Sequence, residues 1–243
     1  MKMVALIPAR AGSKRIPGKN TKLLAGHPLI AYTMAAAMES GVFANVAVCS
    51  DDQAVYDVYD RWGLVPTCIQ REPASDDEAD VVWVRKSFEI LRGWDAFAIL
   101  RPTSPFRTAA TIRRAYDKFR RTPDVDSLRA VEPVKQHPGK MWAWEGAGYP
   151  ITPLLGYTRS DGTPWHSSPT QTLPTFYVQN ASLEMAWTRT VTQLGSIAGK
   201  KVLPFFTEGY EGFDINTPED WTEAERLIAE GLVDLPAVSL AHI

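Results

Sequence analysis

The chain has 243 residues, is 45% hydrophobic and 22% charged, and carries 26 Lys+Arg against 28 Asp+Glu for a net charge of −2. That apolar fraction supports a real core and excludes a mostly disordered chain, and the length suits one α/β domain with at most an insertion. The near-neutral charge argues against nucleic acid as a partner, and no run approaches the about 18 apolar residues of a membrane span.

In chain order, 4–8 reads as a strand, too short for a signal peptide and leading straight into a motif. Residues 28–40 read as a helix with Pro28 at its first turn and Gly41 as its stop. An apolar run at 46–50, bounded by Asp51 and Asp52, reads as a second strand. A helix over 53–62 ends at Gly63, and 64–69 reads as a third strand. Residues 80–91 are helical in pattern, with Val81, Val84, Phe88 and Leu91 near one face, and 96–100 form a strand closed by Pro102. Thr108 suits the cap of a helix running to about Arg121, with a basic outer face at Arg113, Arg114, Lys118, Arg120 and Arg121. A further strand follows at 127–131. Strand and helix alternating at this spacing imply a mainly parallel sheet covered on both faces, with ligands at the carboxyl ends of strands.

From about His137 to Pro174 the pattern changes: Pro, Gly, Ser and Thr dominate, Trp142, Trp144 and Trp165 stand among them, and no helical period is visible. The stretch 138–175 therefore reads as an insertion in a single domain spanning 1–243, a β-arm or a dimer contact whose tryptophans belong to core or interface. Residues 176–187 and 202–206 read as strands. Thr217-Pro218-Glu219-Asp220 opens a last helix running to about Glu230. Cys49 and Cys68 make neither a disulfide framework nor a metal cluster, and read as reduced core residues of a cytoplasmic protein.

Four segments carry chemistry. Pro8-Ala9-Arg10-Ala11-Gly12-Ser13-Lys14-Arg15-Ile16-Pro17-Gly18-Lys19-Asn20 follows the first strand with four cations, two glycines, a Ser and an Asn. Small residues let backbone N–H groups approach an anion and the cations neutralise it, which is what a triphosphate needs. The spacing is neither a Walker A loop nor a GxGxxG, so an ATPase of that type and a dehydrogenase fit poorly. A solvated basic loop is the plain alternative, disfavoured by the loop's place after the first strand. Ser50-Asp51-Asp52 ends another strand: its carboxylates suit ribose hydroxyls or a metal, although Asp52 reads better as the cap of the next helix. Leu100-Arg101-Pro102-Thr103-Ser104-Pro105-Phe106-Arg107-Thr108 is a rigid polar turn that suits a binding site or simply a well-made strand-to-helix turn. Gly209-Tyr210-Glu211-Gly212-Phe213-Asp214-Ile215-Asn216 alternates Asp214 and Asn216, oxygen ligands of the kind Mg²⁺ takes, with a capping turn as the alternative. His27, His137 and His166 carry no catalytic context of their own.

Together these segments resemble the acylneuraminate cytidylyltransferase family, the CMP-sialic acid synthetases and enzymes for related nine-carbon sugar acids. The match rests on Ile7 to Lys14 with Ile16 to Asn20, on Pro102-Thr103-Ser104-Pro105 with Arg107-Thr108, and on Ser50-Asp51, Arg71 to Asp76, His137-Pro138, Asn180 and Asp214 in order. The resemblance implies a Rossmann-like nucleotide-diphospho-sugar transferase fold, a mainly parallel mixed sheet with a small dimerisation element in the irregular stretch, and a homodimer. It implies a Mg²⁺-dependent reaction in which a sugar-acid anomeric hydroxyl attacks the α-phosphorus of CTP and pyrophosphate leaves. On this reading Ala9, Arg10, Ala11, Gly12, Ser13, Lys14, Lys19 and Asn20, with Ser50, Asp51 and Arg71, bind the nucleotide, and Arg10, Lys19 and Asp214 act in catalysis. Asp214 and Asn216 hold the metal. Arg101, Thr103, Ser104, Arg107, His137, Gln179 and Asn180 face the acceptor. Three departures stand out: Arg101 where sialate-specific relatives usually have Gln, Val178-Gln179-Asn180-Ala181 where they have Arg-Pro-Asn-Gly, and Asn216 where they have a second carboxylate. A nucleotidyltransferase using another nucleoside triphosphate or acceptor, and a nucleotide-binding protein of this fold without turnover, are the rival readings.

Overall fold

A computed structural model describes residues 1–62, 67–70 and 78–238. Strand β1 (Met3–Ala9) is buried along almost its whole length and leads through the first loop to a two-residue hairpin, β2 (Leu23–Leu24) with β3 (His27–Pro28). Helix α1 (Leu29–Ser40) follows, closed by Gly41 in the left-handed region at φ 67°, where glycine costs no Cβ strain. Then come β4 (Asn45–Ser50), α2 (Gln53–Trp62), β5 (Thr67–Gln70), α3 (Asp80–Ile90), β6 (Ala96–Ile99) and α4 (Ala109–Arg120). Thr108 caps α4 in a reciprocal box with Thr111, as its sequence position promised. The last elements are β7 (Ser127–Pro133), β8 (Trp142–Ala143), β9 (Thr152–Pro153), β10 (Tyr177–Trp187), α5 (Thr188–Thr192), β11 (Val202–Phe206) and α6 (Pro218–Ala229). Helix α6 opens on a Thr217–Asp220 capping box with Pro218 in its first turn.

Among the described residues, seven strands share one sheet in the order β11-β7-β10-β6-β1-β4-β5. Strands β6, β1, β4 and β5 pair in parallel, whereas β10 runs antiparallel to β6. The chain leaves β1 toward β4 on one side and later returns to β6 on the other. This reversal opens a crevice at the carboxyl ends of β1 and β6, the place where open α/β sheets bind ligands. Two apolar clusters pack the sheet's faces. One holds Ile7, Met34, Ile112 and Phe119; the other holds Leu6, Trp83, Val84 and Phe97. A third lies under the crevice loops and joins Ile16, Phe106, Ile215, Trp221 and Leu227.

The chain divides into two compact units, Met1–Ala130 with Asn180–Ile243, and Val131–Gln179. The smaller unit has its own aromatic centre: the His137 ring lies 5.1 Å from Phe176 and 6.0 Å from Trp165. Gly139 is glycine because a Cβ there would stand 3.0 Å from that imidazole. One expectation changes: Cys49 is buried but Cys68 is exposed, because side chains alternate along β5 and Ile69 takes the inward face while Cys68 and Gln70 take the outward one. The described part of the third strand is Thr67–Gln70, and residues 63–66 and Arg71 to Asp76 lie outside the described residues. No helix among the described residues is long and apolar enough to cross a membrane.

Candidate active site

The crevice is a cleft of about 750 Å³. The first loop lines it with Arg10, Ser13, Lys14, Arg15, Lys19 and Asn20; the turn after β6 adds Arg101, Pro102 and Thr103; the loop before α6 adds Asp214 and Asn216. These segments are stitched together. Ile16 roots the cationic loop in the third apolar cluster beside Phe106 and Ile215. The Ile215 N–H donates to Thr103 O at 2.9 Å, and the Ile215 carbonyl accepts from Lys19 Nζ at 2.7 Å. One peptide residue thus ties the first loop, the turn after β6 and the Asp214 segment into a single constellation.

Burial holds the Lys19 ammonium below the usual lysine range, with Arg15 acting in the same direction and Asp214 opposing it. Asp214 accepts from Asn216 Nδ2 at 2.6 Å on Oδ2, while its buried Oδ1 has no hydrogen-bond partner. A buried carboxylate oxygen left open is costly unless a cation or donor fills it. No cluster of three or more His, Cys, Asp or Glu able to hold a metal occurs among the described residues. One carboxylate is nevertheless enough for Mg²⁺, which is commonly held by one or two carboxylates together with a substrate's phosphate oxygens and water. The donor set therefore fits that ion, through Asp214. Asn216, expected as a second ligand, turns its amide nitrogen to Asp214 and braces it.

Several expected contacts lie elsewhere. Ala9 and Ser50 are wholly buried, and the Ser50 hydroxyl donates to Ala9 O at 2.6 Å, joining the ends of β1 and β4. Asp51 accepts the Ala11 N–H at 2.8 Å, fixing the first loop, and Asp52 takes the Ala54 N–H as the helix cap. Ala11 and Gly12 are exposed beside the cleft lining rather than in it. Ser104 and Arg107, expected at the acceptor, are each 1% exposed. The Arg107 guanidinium donates to Thr33 Oγ1 at 2.8 Å, to Arg101 O and to Ser182 O, so it clamps the turn from below. Burial pulls it down to about 9, which still leaves it cationic at neutral pH. Asn180 donates to Thr207 Oγ1. In the smaller unit His137 is buried, taking the Gly139 N–H on Nδ1 with Nε2 2.9 Å from Pro174 O, whereas Gln179 is exposed.

The sequence reading missed Asp80 and Trp83 on the cleft wall and, behind them, Glu184 and Arg129. Asp80 passed as an ordinary helix start. Glu184 sits in the otherwise apolar run Leu183-Glu184-Met185-Ala186, and a charge inside a buried strand was the available signal.

A family model described as Cytidylyltransferase matches residues 4–137. The CMP-N,N'-diacetyllegionaminic acid synthase of Legionella pneumophila subsp. pneumophila is 32% identical over 234 residues, covering 94% of this chain and 97% of that protein. The N-acylneuraminate cytidylyltransferase of Streptococcus agalactiae serotype III is 34% identical over 173 residues, which cover 68% of this chain but 41% of that longer protein. Among solved structures, a CMP:2-keto-3-deoxy-manno-octonic acid synthetase complexed with CTP superposes with a TM-score of 0.69 at 15% identity, covering 95% of this chain and 100% of that one. The 4-diphosphocytidyl-2C-methyl-D-erythritol synthase from Anaerococcus prevotii superposes with a TM-score of 0.62 at 10% identity, covering 94% and 98%. These two share the Rossmann-like nucleotidyltransferase fold.

Proposed function

Because the chain belongs to the acylneuraminate cytidylyltransferase family and is a nucleotidyltransferase, we propose that its cleft joins CTP to a nonulosonic-type sugar acid. It transfers CMP from CTP to the anomeric hydroxyl of the acid and releases pyrophosphate. The observation that carries this reading is the cationic loop Arg10 to Lys19 sharing one cleft with Asp214.

Transfer at phosphorus is largely positioning and charge neutralisation. Arg10, Ser13 and Lys14 hold the triphosphate, and Asn20 contacts the nucleotide. Lys19 lies where negative charge builds on the departing pyrophosphate. Asp214, braced by Asn216, holds Mg²⁺. When bound, that ion neutralises phosphate charge and acidifies the attacking hydroxyl. Arg101 and Thr103 face the acceptor. The roles read earlier for Ser50, Asp51 and Arg107 become supporting ones, since each braces a loop, while Ser104 is buried within its turn.

The protein works as a homodimer in the cytoplasm. Support for the dimer comes from the smaller unit, where Trp142, Trp144, Tyr149, Ile151 and Leu154 are all exposed, an apolar surface that calls for cover. Support for the compartment comes from Cys49 and Cys68, which are not joined in a disulfide. Light scattering at micromolar concentration is expected to return twice the chain mass of 27.0 kDa, and a monomer refutes the dimer.

The test of the reaction is pyrophosphate release from CTP with a panel of nonulosonic acids, N,N'-diacetyllegionaminic, pseudaminic and N-acetylneuraminic acids among them, with and without Mg²⁺. Mg²⁺-dependent release with at least one acid is expected. Silence across the panel, or rates indifferent to the ion, refutes the proposal.

A further inference from the structure

Four charged side chains alternate in sign from the cleft wall into the sheet. Arg101 Nη2 lies 2.5 Å from Asp80 Oδ2 and 3.0 Å from Glu184 Oε1, while Arg129 Nη1 grips Glu184 Oε2. Asp80 also accepts the Trp83 indole N–H at 2.7 Å, which fixes its carboxylate at the start of α3. The side chains of Asp80 and Arg101 are 30% and 29% exposed, those of Glu184 and Arg129 only 6% and 9%. The series therefore runs from solvent to the interior, and its charges cancel.

A buried ion pair is a poor source of stability, because desolvation offsets the attraction and apolar residues of similar volume often serve as well. Glu184 and Arg129 need another reason to be there. Arg129 takes one oxygen of Glu184 and leaves the other for Arg101. Asp80 and Glu184 both engage the same nitrogen of Arg101, so neither uses Nη1 or Nε. The guanidinium is thus held by one corner at a wall of the cleft, and a planar fork fixed this way matches a carboxylate.

We infer that Glu184 is a positioning residue for the acceptor: through Nη2 it sets Arg101 so that the remaining donors of the fork receive the carboxylate of the incoming acid. This rests on the proposed function and adds to it the group by which the acceptor is told from a neutral sugar.

The test pairs variants with substrates, starting from whichever acid the wild-type chain turns over. Replacing the buried half of the series with apolar groups, Glu184→Met with Arg129→Met, is expected to leave the melting temperature within a few degrees and CTP affinity by calorimetry within twofold, yet to raise KM for the acid tenfold or more. Arg101→Gln gives the same rise, and adding it to the double variant raises KM no further. The wild type prefers the acid to its carboxamide by tenfold or more, and Arg101→Gln abolishes that preference. Should the double variant not fold, Glu184→Gln, which keeps shape and loses charge, is expected to raise KM for the acid at least threefold with CTP affinity unchanged. A folded variant whose acid KM stays within twofold overturns the inference, as does an Arg101→Gln enzyme that still prefers the acid. Failure of the wild type on every acid is seen before any variant is made, and it overturns the proposed function instead.

Discussion

The ammonium of Lys19 lies 2.7 Å from the backbone carbonyl of Ile215, so a lysine of the first loop is seated on the residue next to Asp214. This contact orients the cation without spending it on a carboxylate. Its charge stays available to phosphate, and the neighbouring acid stays available to a metal.

Lys19→Ala is therefore expected to abolish most turnover while sparing the fold. Loss of one preorganised donor to developing negative charge costs about 10²- to 10³-fold in kcat. Pyrophosphate release and the melting curve of the same sample check it; a rate near wild type removes Lys19 from the mechanism.

Burial lowers the pKa of Lys19 from 10.5, so in the free protein the cation is lost at lower pH than in an ordinary lysine. Affinity for CTP should fall on the alkaline side as that proton leaves. Lys19→Arg, with its far more basic guanidinium, should move the fall to higher pH. Calorimetric titration of CTP across alkaline pH reads both limbs; coincident limbs acquit the lysine.

Asp214→Asn removes the carboxylate whose buried Oδ1 has no hydrogen-bond partner. The Mg²⁺ concentration for half-maximal activity is expected to rise about tenfold, equivalent to about 1.4 kcal/mol. In melting curves of the CTP complex, added Mg²⁺ should stabilise the wild type and leave the variant unmoved.

A Cβ added at Gly12 would meet nothing within 4 Å, and its backbone is not left-handed. Neither strain nor packing asks for glycine there, and on the proposed function the open space beside the cleft admits the nucleotide tail. Gly12→Ala should gain about 0.4–1 kcal/mol of stability and bind CTP about tenfold more weakly. Equal affinity would place the triphosphate elsewhere.

Glu211 fixes the loop leading to Asp214 through a bidentate pair with Arg114 at 2.9 and 3.1 Å and a bond from Thr111 Oγ1 at 2.7 Å. Burial works against its charge, but Arg114, Thr111 and the Glu208 N–H prevail and hold the carboxyl below 4.5. The folded protein thus binds this proton less readily than the unfolded chain does. The contribution is complete above pH 4.5 and drains away as pH falls through the lower, folded value. Glu211→Gln should cost about 1.5 kcal/mol at neutral pH, and the difference from wild type should close in acid melts.

Much of this was readable before any coordinates. Strands β1, β4 and β6 announced themselves as apolar runs ended by polar turns, and α4 and α6 by the caps Thr108 and Thr217. What stayed hidden has physical reasons. The direction of β10 against β6 leaves no trace in periodicity. The β2–β3 hairpin turns on Ala25 at φ 46° and Gly26 at φ 87°, and alanine gives no warning of a left-handed turn. Helix α5 spans only Thr188–Thr192 and is mostly β-branched. At the site, residue type pointed to three loops that line the cleft but not to which of their side chains face inward. Arg107 and Lys19 are both cations next to the cleft, yet one is sealed beneath the turn and the other opens onto it.

The seat of Lys19 lies 196 positions further along the chain. A ribosome therefore releases the cationic loop long before it makes the peptide that the lysine rests on. The donor pocket forms only when the last strand and the segment beyond it have emerged, and an N-terminal fragment ending before residue 214 would carry the loop without its grip.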